Sequence, residues 1–174
     1  PGLLTAALFV LTGCVSVLPE PVVPEGLYRP EPAAVVASLD DSLIIRELES
    51  PQIFSGQAMI SEDETGALLL VPSVQWAGRS TRLLQLALID SFDDQAEGAA
   101  LLPETGVRKA FELSTRIKTL ALRGDEAICE MSGSVIGVAS RSVIAQTTVT
   151  ASDFAASSRA GDRAVALKQA SEAC

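Results

Sequence analysis

Three cysteines are the residues of this 174-residue chain whose chemistry follows most directly from their positions. Cys14 lies near the amino terminus, whereas Cys129 and Cys174 lie in the second half. A thiol can take up a lipid as a thioether, form a disulfide or bind a metal. The chain contains no histidine, so the usual general base of serine and cysteine hydrolases and the commonest ligand of transition metals are missing. Much ordinary catalysis is thereby excluded, and we expect no metal site.

The residues before Cys14 are typical of an export signal. Residues 3–11, LLTAALFVL, form an uncharged apolar run that is too short to cross a bilayer. Residues 11–14, Leu-Thr-Gly-Cys, resemble the lipobox of bacterial lipoproteins, in which small residues give the signal peptidase access to the bond before the cysteine. We expect residues 1–13 to be a signal peptide truncated at its start, and Cys14 to carry diacylglycerol and acyl chains such as palmitate. The alternative is a buried thiol in an amino-terminal strand or helix.

Residues 14–38 are predicted to be a lipidated, proline-rich tether. Proline recurs every few residues after Cys14 and excludes both a helix and a central strand. Residue 15 is valine and not the aspartate that marks retention in the inner membrane of enteric bacteria. Resemblance to those lipoproteins therefore favours the periplasmic face of the outer membrane of a Gram-negative bacterium.

Residues 39–174 are expected to form one globular domain. Apolar residues make up 48% of the chain but aromatic residues only 4%, so the core must be mainly aliphatic. The formal net charge of -9, without a basic run, repels phosphate backbones, and we expect no nucleic-acid partner.

The first half of this domain is predicted to contain a strand, a hairpin and a helix. The strand covers residues 42–48, and residues 57–60 and 67–71 are the arms of the hairpin, with Pro72 ending the second arm. Residues 80–92 have helical periodicity. The side predicted to face the core contains Leu83, Leu84, Ala87 and Leu88, and the side mostly opposite contains Arg79, Arg82, Gln85 and Asp90.

The second half is predicted to be a three-stranded antiparallel meander followed by a helix. Alternating apolar residues begin at Phe111, return over residues 127–136, and form the inner face of a third strand through Val143, Ala145, Thr147, Val149 and Ala151. Ser152 and Asp153 could cap the final helix, whose packing stripe contains Ala160, Ala164, Leu167, Ser171 and Cys174. The fold class is therefore α/β of the α+β type, a mixed and largely antiparallel sheet with helices packed on one side.

Cys129 and Cys174 are both predicted to face the interface between this sheet and the last helix. In an oxidising compartment a disulfide between them is expected. On the chain-entropy model a loop of about 45 residues corresponds to about 4 kcal/mol of stabilisation. The alternative is two separate buried thiols.

From the lipobox to the last helix the sequence resembles the ABC-type transport auxiliary lipoproteins, the PqiC-like group. The residues that carry the resemblance are Tyr28-Arg29, Pro51-Gln52-Ile53 and Val74-Gln75-Trp76-Ala77 before the amphipathic helix. The chain departs from the enteric pattern at Glu49-Ser50, where that pattern has aspartate and arginine, and before Gln75, where it has an aromatic residue or histidine.

The resemblance implies an outer-membrane auxiliary component of an ABC-type, MCE-linked system that moves lipid between membranes. Its partner would be an MCE-domain protein, and the chain itself could assemble into a ring-shaped oligomer. The resemblance further implies that Pro51, Gln52, Ile53 and Trp76 form a partner-binding surface. The alternative is that Ile53 and Trp76 belong to the core and Pro51 to a turn. No cofactor is implied beyond the acyl lipid on Cys14.

Two further functions compete with transport. Glu62, Asp63 and Glu64 could act as paired carboxylates of an envelope hydrolase, but a charge cluster in a hairpin loop is more often a solvated tip, and we expect no enzymatic activity. The chain has neither a nucleophile elbow nor a Walker loop. The other competing function is a structural envelope lipoprotein without a transport partner.

Overall fold

The computed structural model describes residues 23–32, 38–92, 98–106 and 109–174. The predicted signal peptide, Cys14 and most of the predicted tether lie outside the described residues. Within the described part of the chain, no helix is long and apolar enough to cross a membrane.

A three-stranded antiparallel meander is the centre of the fold. Three consecutive strands form it, β6 (Phe111–Arg123), β7 (Glu126–Gly137) and β8 (Ser142–Phe154). Gly124 has φ +60°, which lets the turn between β6 and β7 close tightly. The meander was predicted from the alternation of apolar residues, and the structure confirms it.

The edge of β6 that faces away from β7 pairs with other strands near both ends of β6. At its start it pairs with β2 (Leu43–Ile45), which in turn pairs with β5 (Ala100–Leu101). At its end it pairs with β3 (Ala58–Glu62), which continues to β4 (Leu68–Trp76) and β1 (Gly26–Tyr28). The result is a mixed eight-stranded sheet, and the predicted fold class is confirmed. The strand predicted over residues 42–48 is regular only over β2, although Glu49 still forms a bridge to β6.

The β3–β4 hairpin is present as predicted, but the prediction that Pro72 ends its second arm is wrong. Ile60 pairs with Leu70, whereas Ala58 pairs with Gln75, so β4 carries extra residues in a bulge. Ser73 lies within the bulge with φ +64°. Proline is tolerated at a bulge because no ladder hydrogen bond is required of it there, and the strand continues to Trp76.

In the described part of the chain three α-helices pack on the sheet: α1 (Gln52–Ser55), α2 (Ser80–Ile89) and α3 (Ala160–Ala173). The helix predicted over residues 80–92 is α2, but its sides differ from the prediction. Gln85 is fully buried, and its Nε2 donates a hydrogen bond to the Ile45 carbonyl at 2.7 Å. Arg82 donates to Gln85 Oε1 at 2.6 Å, so both ends of the buried amide are satisfied.

Helix α3 covers one half of the meander with small residues. Its buried residues are Ala164, Ala166, Leu167, Ala170 and Ser171, which confirms most of the predicted stripe. The predicted cap is wrong, because Ser152 and Asp153 still belong to β8. The helix instead begins after Arg159, and the hydroxyl of Ser157 accepts the Arg159 N–H at 3.3 Å and donates to Asp162.

A disulfide joins Cys129 to Cys174, with 6.1 Å between their Cα atoms. That separation is within the ordinary range for disulfides. Cys129 lies fully buried on β7, and Cys174 follows the last turn of α3. The bridge therefore connects α3 to the middle of the meander, as the sequence predicted.

The predicted inner face of β8 is wrong in two respects. Ala145 pairs with Val135 but Val143 pairs with Ile136, so a bulge at Ile144 turns Val143 to the opposite face. In addition, all of residues 142–150 are exposed, and Val143 retains 59% of its accessible surface. Helix α3 covers the other half of β7 and β8, and no described residue covers this half.

Candidate partner-binding surfaces

Two of the three segments that carry the family resemblance pair directly in the sheet, and the third, Pro51-Gln52-Ile53, comes just before residues that bond to the end of β4 and to the start of α2. Strand β1 pairs in parallel with the end of β4, which places Tyr28 opposite Trp76. The Ala77 N–H donates to the Tyr28 carbonyl at 2.7 Å, and the Trp76 N–H donates to the Gln57 carbonyl at 2.7 Å. Residues that are 49 and 19 positions apart in sequence (28 and 77, 57 and 76) are thus bonded directly through the backbone.

The first residues of α2 hold α1 in place. The hydroxyl of Ser80 donates to the Phe54 carbonyl, and its N–H donates to the Gly56 carbonyl at 3.0 Å. Both Phe54 and Ser80 are buried. This anchoring leaves the beginning of α1 directed outward.

The predicted partner residues divide into an exposed group and a buried one. Pro51, Gln52 and Ile53 are exposed, and Ile53 retains 39% of its accessible surface. Trp76 retains only 2% and belongs to the core, so its part in a partner surface is limited to positioning α1 through its backbone. The alternative interpretation, that Ile53 and Trp76 both belong to the core, is therefore correct for Trp76 and wrong for Ile53.

A polar groove runs beside Pro51. It is lined by Glu49, Ser50, Pro51, Arg116, Ile117 and Lys118. Arg116 pairs with Glu49 at 3.1 Å, and Lys118 pairs with Glu130 at 3.0 Å. The exposed Pro51 therefore lies next to paired charges, and the exposed Ile53 follows two residues later; an apolar contact with a polar rim is typical of protein interfaces.

A separate apolar cavity of about 370 Å³ lies between α2, α3 and the sheet. Leu48, Leu84, Leu88, Phe92 and Met131 are among the apolar residues that line it. Its volume is at the lower end for small-molecule pockets. The sequence did not predict this cavity, because its wall comes from segments that only the tertiary fold brings together.

Charged residues from two segments are joined at the edge of this cavity. Lys168 pairs with Glu172 at 2.6 Å and with Glu31 at 3.6 Å, and the Glu31 N–H donates to Glu172 at 2.7 Å. The hydrogen bond to Glu172 is the main cause of a raised pKa of Lys168. These bonds attach the segment after β1 to the last turns of α3.

The acidic hairpin loop is organised by local hydrogen bonds. Asp63 Oδ1 accepts from the Thr65 N–H at 2.8 Å, the Thr65 hydroxyl at 2.6 Å and the Ala67 N–H at 2.9 Å. These bonds, that of the Thr65 hydroxyl most strongly, lower the pKa of Asp63. Glu62 pairs with Arg123 at 2.8 Å. Across residues 23–32, 38–92, 98–106 and 109–174, no three acidic or cysteine side chains are placed to hold a metal ion.

Strand β8 supplies a further surface. It pairs only with β7, so its other edge is unpaired by any strand of the described chain. The apolar side chains exposed along it are Val143, Ile144, Val149 and Phe154. This edge is longer than those of β1 and β5, which have three and two residues.

Solved structures share this fold. The chain is similar to protein XCC0632 from Xanthomonas campestris, with family label DUF330, at a TM-score of 0.73 and 17% identity over 85% of this chain and 87% of that one. An uncharacterized protein matches at a TM-score of 0.64 and 9% identity, over 84% and 94%. PelC from Paraburkholderia phytofirmans, a dodecamer, matches at 0.45 and 12% identity over 83% and 93%. The first two show the fold, and the third carries no argument.

No family model matches the sequence, and no curated protein matches it.

Proposed function

We propose that this chain is a lipid-anchored envelope lipoprotein that serves as a non-enzymatic auxiliary component of an ABC-type, MCE-linked lipid transport system. The observation that supports the proposal is the convergence of the three resembling segments. Tyr28 lies on a strand paired with that of Trp76, and the Trp76 N–H donates to the carbonyl of Gln57, which follows Ile53 by four residues. Unrelated chance matches would have no reason to lie together in space.

The proposed role is adhesion. A lipid on Cys14 and the proline-rich segment after it would hold the domain near the outer membrane, since several acyl chains anchor a protein stably. The exposed beginning of α1 would then contact an MCE-domain protein. Ile53 supplies the apolar centre of that contact, and Pro51 keeps the helix start rigid because its φ is fixed.

Catalysis is not part of the proposed role. Two of the three carboxylates that were candidates for hydrolysis are engaged elsewhere, Glu62 with Arg123 and Asp63 with its own loop. The hydrogen bonds of its loop lower the pKa of Asp63. A general acid needs a raised pKa instead.

Co-purification with the MCE-domain protein of the same cell tests the proposal. The full lipidated chain, extracted in mild detergent, is expected to retain that protein. Ile53→Glu should weaken the association about tenfold or more, because a charge would replace an apolar contact at the centre of the interface. A matched control is Val165→Glu on α3, a residue with 42% exposure against 39% for Ile53.

Two results would overturn the proposal. One is a chain that never retains an MCE-domain protein, which would leave the structural envelope lipoprotein as the better explanation. The other is an equal loss of binding in both variants. The intact mass of protein extracted from membranes tests the lipid anchor separately. A mass that shows an unmodified Cys14 would contradict the proposed membrane attachment.

A further inference from the structure

The apolar cavity between α2 and α3 is large for a gap between packed elements. Protein interiors hold few voids larger than a water molecule. Several positions that face this cavity carry small side chains, Ala87 on α2, Ser91 just after it, and Ser171 and Ala173 on α3. A cavity of about 150 Å³ holds one benzene molecule, so a volume of about 370 Å³ has room for a hydrocarbon chain of about twelve carbons.

Both helices that border the cavity are fixed to the sheet. The bridge between Cys129 and Cys174 holds the end of α3, and Gln85 of α2 donates to the Ile45 carbonyl at 2.7 Å. Met131 of β7 lines the cavity from the sheet. A ligand would therefore enter a site that is already formed, without the entropy cost of ordering its walls.

The polar groups that line the cavity present acceptors to a ligand. The hydroxyl of Ser91 donates to a carbonyl of α2 at 2.7 Å, and the hydroxyl of Ser171 donates to a carbonyl of α3 at 2.6 Å. The N–H of Glu31 donates to Glu172 at 2.7 Å. Because these hydrogens are used within the protein, the head of a ligand must supply the donors for any hydrogen bond to these oxygens.

The charge at the edge of the cavity is negative. Glu31 and Glu172 both line it and share the ammonium of Lys168, at 3.6 and 2.6 Å. Two carboxylates and one ammonium leave one negative charge. Within the described chain the bonds of both carboxylates use Oε1, so each Oε2 can accept from a ligand. An alkyl ammonium has three donors and no acceptor, which complements this edge, whereas a carboxylate head would meet like charges.

We propose that the cavity between α2 and α3 binds the hydrocarbon chain of an amphiphile with an ammonium head, which lies at Glu31 and Glu172. The chain loses contact with water against Leu84 and Leu88. The site uses neither α1 nor Cys14. Failure of this inference therefore leaves the proposed function untouched, and the reverse also holds.

Photo-cross-linking tests the site in the full lipidated chain, held in phosphatidylcholine bilayers whose heads have no N–H donor. The probe is an alkyl amine with a diazirine on its chain, which is protonated near neutral pH as lysine is. Mass spectrometry of peptides should find the label at cavity residues such as Leu84, Leu88 and Met131. Excess octylamine should reduce this labelling about tenfold more than octanoate does, because only the ammonium complements the acidic edge.

The source of the ammonium head is distinguished by a further competitor. A single-chain phosphatidylethanolamine that displaces the probe would identify a lipid head as a source. Displacement by octylamine alone would identify free alkyl amines.

A cavity-filling variant tests where the chain lies. Ala87→Phe should lower labelling about tenfold or more, because a large side chain takes the place of the ligand. Ala156→Phe is the matched control, the same substitution at an exposed alanine between β8 and α3. It should label as the parent does.

A charge variant tests the head separately. Glu31→Gln/Glu172→Gln leaves Lys168 as the charge at the edge, so octanoate should become the better competitor. Glu25→Gln/Glu104→Gln removes the same two negative charges at exposed glutamates away from the cavity and should keep the preference for octylamine.

Three results would overturn the inference. Label spread over the surface without enrichment in the cavity would mean that no such site exists. Equal competition by octylamine and octanoate in the parent, which needs no variant, would exclude the ammonium head. Unchanged labelling in a folded Ala87→Phe, or an unchanged preference in the double glutamine variant at the edge, would exclude the assigned position.

Discussion

The β7–β8 pair has one covered half and one open half, although the same alternating pattern runs through both. In the covered half, Cys129 and Met131 are buried beneath α3, and Ala151 pairs with Cys129. In the open half, residues 142–150 are exposed. The alternation determines which side chains share a face. Whether that face is buried depends on where α3 ends, which is a property of the tertiary fold.

The two halves also differ in the interactions that stabilise them. The covered half is held by aliphatic packing and by the Cys129–Cys174 bridge. The open half is held mainly by strand pairing, and next to it on β6 the side chains of Arg46 and Lys109 pair with Glu112, which lies opposite Ile136 of β7. We therefore expect substitutions in the covered half to change the free energy of unfolding far more than substitutions in the open half.

The largest effect should come from removing the disulfide. Cys129→Ala/Cys174→Ala is expected to lower the free energy of unfolding by about 4 kcal/mol, because the open chain gains entropy when a loop of this length is released. Urea unfolding of the double variant and its parent measures the difference. A loss below about 1 kcal/mol would mean that the bridge contributes little to holding α3 on the meander.

A pair of truncations compares the two halves directly. Leu167→Ala removes a fully buried side chain from α3 and should cost about 3 kcal/mol through lost burial and a new cavity. Val149→Ala, on the exposed part of β8, should cost less than about 0.5 kcal/mol in dilute protein. Thermal or urea unfolding gives both values, and similar losses would show that the open half is covered in solution.

The smallest effect should appear in the pH dependence of the open half. Hydrogen bonds from Arg46 and then Lys109 hold the pKa of Glu112 below its ordinary value of 4.5. A carboxyl whose pKa is lowered by folding stabilises the protein above its unfolded pKa, and this contribution disappears as the pH falls through the folded value.

Glu112→Gln should therefore be less stable than the parent near neutral pH. The difference should shrink as the pH falls below 4.5, the ordinary glutamate value. Urea unfolding across this pH range measures it. Glu104→Gln, at an exposed glutamate outside the sheet, is the control. A Glu112 difference that stays constant with pH would assign the loss to packing instead of charge.

Local patterns were sufficient to predict much of this fold. Alternation located β6, β7 and β8, helical periodicity located α2, and the small-residue stripe placed Leu167 against the sheet. The bridge between Cys129 and Cys174 followed from assigning both residues to the same interface. These features depend on neighbours in sequence or on a single long-range contact.

The errors arose where distant segments determine the environment. The helical pattern places Gln85 on the outward side, but its hydrogen bond to the Ile45 carbonyl satisfies the side-chain amide in the core. Pro72 would end a regular strand, yet a bulge accommodates it. For the candidate site, the resemblance implied a surface that also included Trp76, which is buried, whereas Pro51, Gln52 and Ile53 are exposed. The apolar cavity gave no sequence signal.

The central position of β6 has a consequence for the order of folding. Its partners β2 and β3 precede it by about 60 residues, and these pairings are parallel, so long loops must close before the sheet is complete. Topologies dominated by such distant pairings fold slowly. During synthesis on a ribosome, the sheet would not be complete until the last third of the chain had been made. We therefore expect the chain to stay unfolded, and so able to pass through a translocation pore, for longer than a chain whose strands pair with their neighbours in sequence.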